Sequence, residues 1–296
     1  MFSPSDAGHS HPAVLVTGAS TGIGQACAMR LTREGCNVFA GVRRAEDGER
    51  LAAQSPGRLR WLILDVTDGG EIASAAETVQ REAGGQGLAG LVNNAGIAVG
   101  GPLEYVSPDL LRRQLEVNVI GLHAVTTAML PLIRRAKGRV VNLGSISGRI
   151  ASPFIGPYTA SKHAVEGLTD CLRLELAPEG IHVAVVEPGQ VRTPIWDKGL
   201  AGFAGISGRI PPEGMARYGG RLRVFQWLLE QAPRHAVSPE RVADVVTHAL
   251  FSSEPRTRYV VGGDARLRLW LSRLLPDRAM DAVVLGTLGR IERRVS

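Results

Sequence analysis

The stretch Ala13 to Gly24, Ala-Val-Leu-Val-Thr-Gly-Ala-Ser-Thr-Gly-Ile-Gly, constrains this chain more than any other. A short apolar run passes directly into glycines at 18, 22 and 24, and a helical pattern follows from Gln25 to Glu34, with Ala26, Ala28, Met29 and Leu31 placed to pack. Strand, glycine turn and helix in that order form a cradle for a dinucleotide. Gly18 suits the tight turn, Gly22 lets a pyrophosphate approach the backbone, and Gly24 lets helix and strand pack closely. Ser20, Thr21 and Ile23, between these glycines, share the expected cofactor contact. The helix start presents free N–H groups to the phosphates. An ordinary strand–helix turn satisfies the same spacing, so the rest of the chain has to decide.

Further strands are expected at Asn37–Arg44, Arg58–Val66, Leu88–Asn93, Gly138–Ser145 and Ile181–Glu187, making six with the first. Between them lie helical stretches at 70–84, 107–135 and from Tyr158 to about Leu176. This alternation implies an α/β protein, a parallel sheet with helices on both faces and ligands at the carboxyl ends of its strands. Gly18, Asp65, Asn93, Ser145 and Pro188 all fall at such ends. The tip of the second strand reads Gly41-Val42-Arg43-Arg44, with no acidic residue to hold ribose hydroxyls. An arginine there pairs with a 2′-phosphate, so Arg43 points to NADP(H) in preference to NAD(H); solvated loop arginines are the alternative. Asp65, followed by Val66, is a candidate acceptor for the adenine amino group. The small residues of Asn93-Asn94-Ala95-Gly96 leave room for a flat ligand. Asn118, polar within an apolar helix, needs a partner and is either a structural hydrogen-bonder or a water holder.

Tyr158 and Lys162 stand four apart on an expected helix, hence on one face. A free phenol, with a pKa of about 10, is a poor acid or base at neutral pH, and an ammonium beside it favours the phenolate. Ser145, on the preceding loop, is placed to hydrogen-bond a substrate oxygen from the other side.

Several function classes are disfavoured. The chain has 296 residues, 44% of them hydrophobic and 21% charged, so a large core is expected and wholesale disorder is not. Cys27, Cys36 and Cys171 have no paired or metal-ligand spacing and read as buried free thiols; the scattered histidines offer no metal site. The net charge of +6 comes with no stacking or helix-turn-helix pattern, so no nucleic-acid partner is expected. No apolar run reaches the roughly 18 residues of a membrane span, and residues 1–12 read as a loose tail without a secretory signal.

Together Thr17–Gly24, Asn93–Gly96, Asn118, Ser145, Tyr158-Thr-Ala-Ser-Lys162 and Pro188-Gly189 with Thr193 resemble the short-chain dehydrogenase/reductase family, in its order and spacing over roughly residues 12–260. The resemblance implies a doubly wound Rossmann fold, as a single domain over 13–264 with a substrate lid near 194–235 and a C-terminal extension over 265–296. It implies a catalytic tetrad of Asn118, Ser145, Tyr158 and Lys162, in which Lys162 lowers the tyrosine pKa and binds the nicotinamide ribose. Asn118 would hold a relay water, while Thr193 and the Val191 backbone would meet the carboxamide near Pro188 and Gly189. Pro255-Arg-Thr-Arg-Tyr259, Gly263-Asp-Ala265 and Leu275-Pro-Asp-Arg278 are similar to the retinol and hydroxysteroid dehydrogenase branch.

The expected activity is therefore hydride transfer between a nicotinamide and a small lipophilic ketone or a secondary or allylic alcohol, steroid- or retinoid-like. Trp196, Phe203, Ile206, Met215, Tyr218, Phe225 and Trp227 give the expected lid its apolar character. A reductase of a small or acyl-carrier-bound ketone, and a non-catalytic dinucleotide-sensing regulator, are the competing readings. A homodimer or homotetramer is implied by resemblance. Residues 266–291 alternate arginine with Leu, Trp and Val, which fits a packed helix or a peripheral membrane contact by an otherwise cytoplasmic protein.

Overall fold

The computed structural model describes residues 11–55, 57–194, 208, 210–231 and 236–295. Seven parallel strands form one sheet in the order β3-β2-β1-β4-β5-β6-β7. They are β1 Ala13–Val16, β2 Asn37–Val42, β3 Leu59–Ile63, β4 Gly90–Asn93, β5 Arg139–Leu143, β6 His182–Pro188 and β7 Arg258–Val261. The helices are α1 Gly22–Arg33, α2 Ala45–Gln54, α3 Gly69–Glu82, α4 Pro108–Leu115, α5 Gly121–Ala136, α6 Gly156–Leu176, α7 Pro212–Gln231, α8 Pro239–Phe251, α9 Gly263–Leu274 and α10 Asp277–Val295.

The expected doubly wound architecture is present. Val14 and Val16 of β1 join the core under α1, α2 and α8, while Ala13 and Leu15 join the opposite core under α3 and α5. Both faces of the strand are covered, so it reads as an unbroken apolar run. The strand order reverses between β1 and β4, where the chain leaves β1 in one direction and later returns on its other side. That switch point opens the crevice into which the carboxyl ends of the central strands point.

Four expectations need correction. The sequence reading stops at six strands; β7 extends the sheet, pairing Tyr259 with Val186 and Val261 with Pro188. Its Tyr-Val-Val run is too short to stand out without a partner strand. The single helix expected over 107–135 is divided by a wide, π-type turn at Glu116–Ile120, with Asn118 in its middle. The helical stretch Pro108–Ala136 also contains an 18-residue window, of mean hydropathy 1.4, that is long and apolar enough to cross a membrane, contrary to the sequence reading. Its Val125, Met129, Leu132 and Ile133 are buried in the core against the sheet. Cys27 and Cys36 are buried as expected, whereas Cys171 is exposed on α6. Of the expected lid, Trp196, Phe203 and Ile206 lie outside the described residues; Met215, Tyr218, Phe225 and Trp227 belong to α7.

Candidate active site

The glycine turn is held from three sides. Gly18 and Gly22 have φ of +63° and +60°, values that side chains rarely tolerate. Asn94, just beyond β4, donates from Nδ2 to the carbonyls of Thr17 (2.9 Å) and Gly18 (3.0 Å), while the Thr17 hydroxyl accepts from the Asn94 and Ala95 N–H groups. A side chain at Gly24 would collide with the Gly18 carbonyl and the Asn94 amide. Gly24 is thus a packing glycine and, alone among the expected cofactor contacts, does not line the cleft.

That cleft encloses about 610 Å³. Gly18, Ser20, Thr21, Gly22 and Ile23 after β1 form its floor, with Arg43 after β2 and Asp65 and Val66 after β3 to one side. Asn94, Ala95 and Gly96 follow β4 on the other side, then Ser145 after β5 and Pro188, Gly189, Val191 and Thr193 after β6; Asn118, Tyr158 and Lys162 line the cleft as well. The strand–turn–helix cradle, a cleft spanning these strand ends and an open glycine backbone fit a dinucleotide. Arg44, by contrast, is committed to Asp47, with Nε 3.0 Å from Oδ2, which leaves Arg43 as the arginine that the tip of β2 offers to the cleft; Arg112 and Arg113 of α4 also line it, Arg112 paired with Asp109. Asp65 keeps one carboxylate oxygen on its own loop, accepting from the Thr67 N–H (2.9 Å) and hydroxyl (2.8 Å).

Ser145 follows β5 and caps a short turn, its Oγ accepting from the Ser147 N–H at 3.1 Å. Its hydroxyl is also hydrogen-bonded to Tyr158. Burial pushes the Tyr158 phenol above its usual range, and the Ser145 hydrogen bond works in the opposite direction. This corrects the expectation that Lys162 governs the phenol; here desolvation is the larger influence. The Lys162 ammonium lies 5.7 Å from the Tyr158 ring centre and donates to the Leu143 carbonyl at 2.6 Å. Burial lowers its pKa to about 8, against the pull of the Glu166 charge. The arrangement therefore holds a protonated phenol beside a serine hydroxyl, a donor pair suited to a carbonyl oxygen.

Asn118 is a structural hydrogen-bonder. Its Oδ1 accepts from the Ile97 N–H at 2.9 Å, and its Nδ2 donates to the Ile97 carbonyl and to Ser161 Oγ, both at 3.1 Å. Ser161 Oγ in turn donates to the Tyr158 carbonyl at 2.7 Å, so the amide braces the start of the catalytic helix.

The family model described as short chain dehydrogenase matches residues 12–201, spanning the glycine turn, the tetrad and Thr193. The chain is a short-chain dehydrogenase. It is 38% identical over 290 residues to retinol dehydrogenase 5 of Mus musculus, covering 96% of this chain and 91% of that one. It is 39% identical over 277 residues to 17-beta-hydroxysteroid dehydrogenase type 6 of Bos taurus, covering 92% and 87%. The NADPH-dependent 3-dehydrocapnine reductase of Ornithobacterium rhinotracheale is 33% identical over 282 residues, covering 94% and 97%. Among solved structures, a short-chain dehydrogenase from Streptomyces avermitilis superposes with a TM-score of 0.74 at 30% identity, covering 95% and 98%. The retinol and hydroxysteroid branch read from the sequence is thus matched by these relatives.

Two residues of this dehydrogenase escaped the sequence reading. Gln114, wholly buried one turn before Asn118, accepts from the Val99 N–H at 2.7 Å and donates to the Ile97 carbonyl at 2.9 Å. A second polar side chain at four-residue spacing from Asn118 was the available clue. Asp264 accepts from the Gln190 N–H at 3.2 Å and fills the space beside Gly189, fixing the loop that carries Pro188 and Val191. In the sequence it stands out only within Gly263-Asp-Ala265, the run similar to the retinol and hydroxysteroid branch.

Proposed function

We propose that this dehydrogenase prefers NADP(H), with NAD(H) as the weaker cofactor, and acts on a lipophilic ketone or a secondary or allylic alcohol of steroid or retinoid type. Arg43 carries the cofactor half of the reading. It lines the cleft at the tip of β2, unpaired among the described residues, where the neighbouring Arg44 is already bound to Asp47. An unpaired guanidinium at that point matches a 2′-phosphate.

When bound, the nicotinamide supplies or accepts the hydride at the substrate carbon. Tyr158 gives its phenolic proton to the developing alkoxide, or takes it back in the oxidative direction. Ser145 orients that oxygen, and the Lys162 ammonium favours the phenolate when the proton has gone. The cleft floor would hold the pyrophosphate, Asp65 and Val66 the adenine, and Thr193 with the Val191 backbone the carboxamide.

The substrate half rests on the aromatic cluster that the chain forms just before the helix of Tyr158. Phe154, four residues before it, packs edge-on against Tyr218 (6.4 Å between ring centres) and Phe225 (5.7 Å) of α7. An aromatic cluster contributed by the segment leading into the Tyr158 helix and by α7 suits a large apolar substrate, in line with the retinol and hydroxysteroid dehydrogenases that the chain resembles. A short polar ketone, free or on an acyl carrier, has less to gain from it.

Titration with NADPH and NADH, on wild type and Arg43→Ala, tests the cofactor half. Wild type is expected to bind NADPH more tightly, and Arg43→Ala to lose most of that difference; equal binding by wild type reduces Arg43 to a loop charge. A screen of steroid and retinoid ketones with NADPH, against short ketones, tests the substrate half.

Two assembly features belong to the same reading. Leu267, Trp270 and Leu274 are exposed along one face of α9, with Arg266 and Arg273 beside them, a pattern suited to peripheral contact with an anionic lipid surface. Salt-sensitive co-sedimentation with anionic vesicles, lost on removal of residues 265–296, is the expected result. Ile120 in the wide turn and Leu168 and Leu174 on α6 are exposed apolar residues that pairing of these helices would cover. Light scattering in solution distinguishes the dimer or tetramer from a monomer.

A further inference from the structure

Helix α6 carries a third chemically active side chain in line with the catalytic pair. Tyr158, Lys162 and Glu166 follow one another at four-residue steps and so share a face. Glu166 is buried beneath the Ser145 turn. A methyl group added at Gly144 would stand 3.0 Å from Glu166 Oε1, and one at Gly148 3.0 Å from its Cγ. Its carboxyl therefore lies against the strand end whose Leu143 carbonyl takes the Lys162 ammonium.

Among the described residues, charged groups from three elements surround this carboxyl. Lys162 and Asp170 flank it on α6. Arg258 of β7 donates to Glu166 Oε2 from Nε at 3.3 Å and from Nη2 at 3.2 Å, and to Asp170 Oδ2 at 2.6 Å. Glu187 of β6 is wholly buried, and its Oε1 accepts from Arg149 at 3.2 Å and lies 3.6 Å from Arg258 Nε. The remaining oxygens, Glu166 Oε1 and Glu187 Oε2, are buried with no hydrogen-bond partner when both groups are ionised. The two carboxyls are nevertheless within hydrogen-bonding reach of each other. Two bare carboxylates at such a distance repel, whereas a single proton between them satisfies both free oxygens.

We propose that Glu166 and Glu187 share one proton, and that Glu166 is a positioning residue that tunes the charge of Lys162 from one helical turn behind it. The idea deepens the dehydrogenase reading and rests on it for the role of Lys162. The titration of these groups agrees with the geometry. Burial raises Glu166 to about 7, with Glu187 adding to the shift and Arg258 opposing it. Lys162, lowered by burial to about 8, is supported by the Glu166 charge. As pH rises past neutrality the shared proton leaves to solvent. A carboxylate then stands behind Lys162 in the range where the ammonium would otherwise begin to neutralise.

Two measurements on the full chain test this. The first is infrared titration without turnover. Wild type should show a protonated-carboxyl C=O stretch at pH 6 that disappears with a midpoint near 7, and the band should be missing from Glu166→Gln and from Glu187→Gln. Absence from wild type, or persistence in both variants, overturns the shared proton. The second is the pH dependence of NADPH affinity. Glu166→Gln should begin to lose affinity about one pH unit below wild type on the alkaline side. A merely structural Glu166 would lower the melting temperature and leave that profile in place, which overturns the positioning role. If Glu166→Gln fails to fold, wild type and Glu187→Gln still decide the infrared arm. If wild type does not bind NADPH at all, the cofactor reading fails while the infrared result for the proton pair stands.

Discussion

Tyr158, on becoming phenylalanine, loses its proton and its hydrogen bond to Ser145 and little else. The ring stays buried and the Lys162 contact to Leu143 is untouched, so the variant isolates the acid–base step. Turnover of any accepted ketone is expected to fall by about 10²–10⁴-fold, with NADPH affinity unchanged. Steady-state kinetics beside a binding titration checks this, and a dinucleotide-sensing regulator would show no turnover in either form. Lys162 is expected to behave differently. Its replacement by methionine should weaken NADPH binding as well as turnover, because the ammonium faces both the cleft and the phenol. At this scale the sequence was readable wherever chemistry dictates a residue type: Gly18, Gly22, Ser145, Tyr158 and Lys162, singled out by motif spacing together with the family resemblance, line one cleft. What could not be read was the direction of the Tyr158 shift. It depends on how completely the phenol is buried, and burial is set by residues far away in the chain.

Among elements, the segment from α4 to α5 holds the loop after β4 in place. Gln114 and Asn118 together satisfy the backbone of Ile97 and Val99, and that loop borders the cleft. Gln114→Leu leaves the half-buried Val99 N–H without its acceptor, so a loss of about 1 kcal/mol in urea unfolding is expected, with a raised KM because Ile97 is no longer fixed. The alternation of strands and helices was legible because strands covered on both faces read as continuous apolar runs. β7 was not, since four residues acquire their identity only from pairing with β6. Glu166 was invisible for a similar reason. On the helix it is one more acidic residue, and it becomes unusual only when Glu187 and Arg258 arrive from β6 and β7. Asp264 gained its function likewise, from a loop some seventy residues upstream.

For the molecule as a whole, the buried proton pair leaves a signature in stability against pH. The folded Glu166 pKa of about 7 lies above the unfolded value, which is about 4.3. Its contribution is therefore fully present below about 4.3 and lost as pH rises through about 7. The melting temperature of wild type relative to Glu166→Gln should fall across that window, and calorimetry at pH steps checks it; a constant difference would mean that Glu166 ionises alike in both states.

The wide turn at Glu116–Ile120 has a genetic consequence. Elsewhere in Pro108–Ala136, losing one codon rotates everything beyond it by about 100° and turns Val125 and Met129 away from the sheet. At the wide turn the extra residue is already absorbed locally, so a one-codon deletion leaves α4 and α5 in phase. Such an in-frame deletion should yield a chain that still assembles its sheet and core yet no longer aims the Asn118 amide. Inheritance of the shell and inheritance of the activity come apart at that one place.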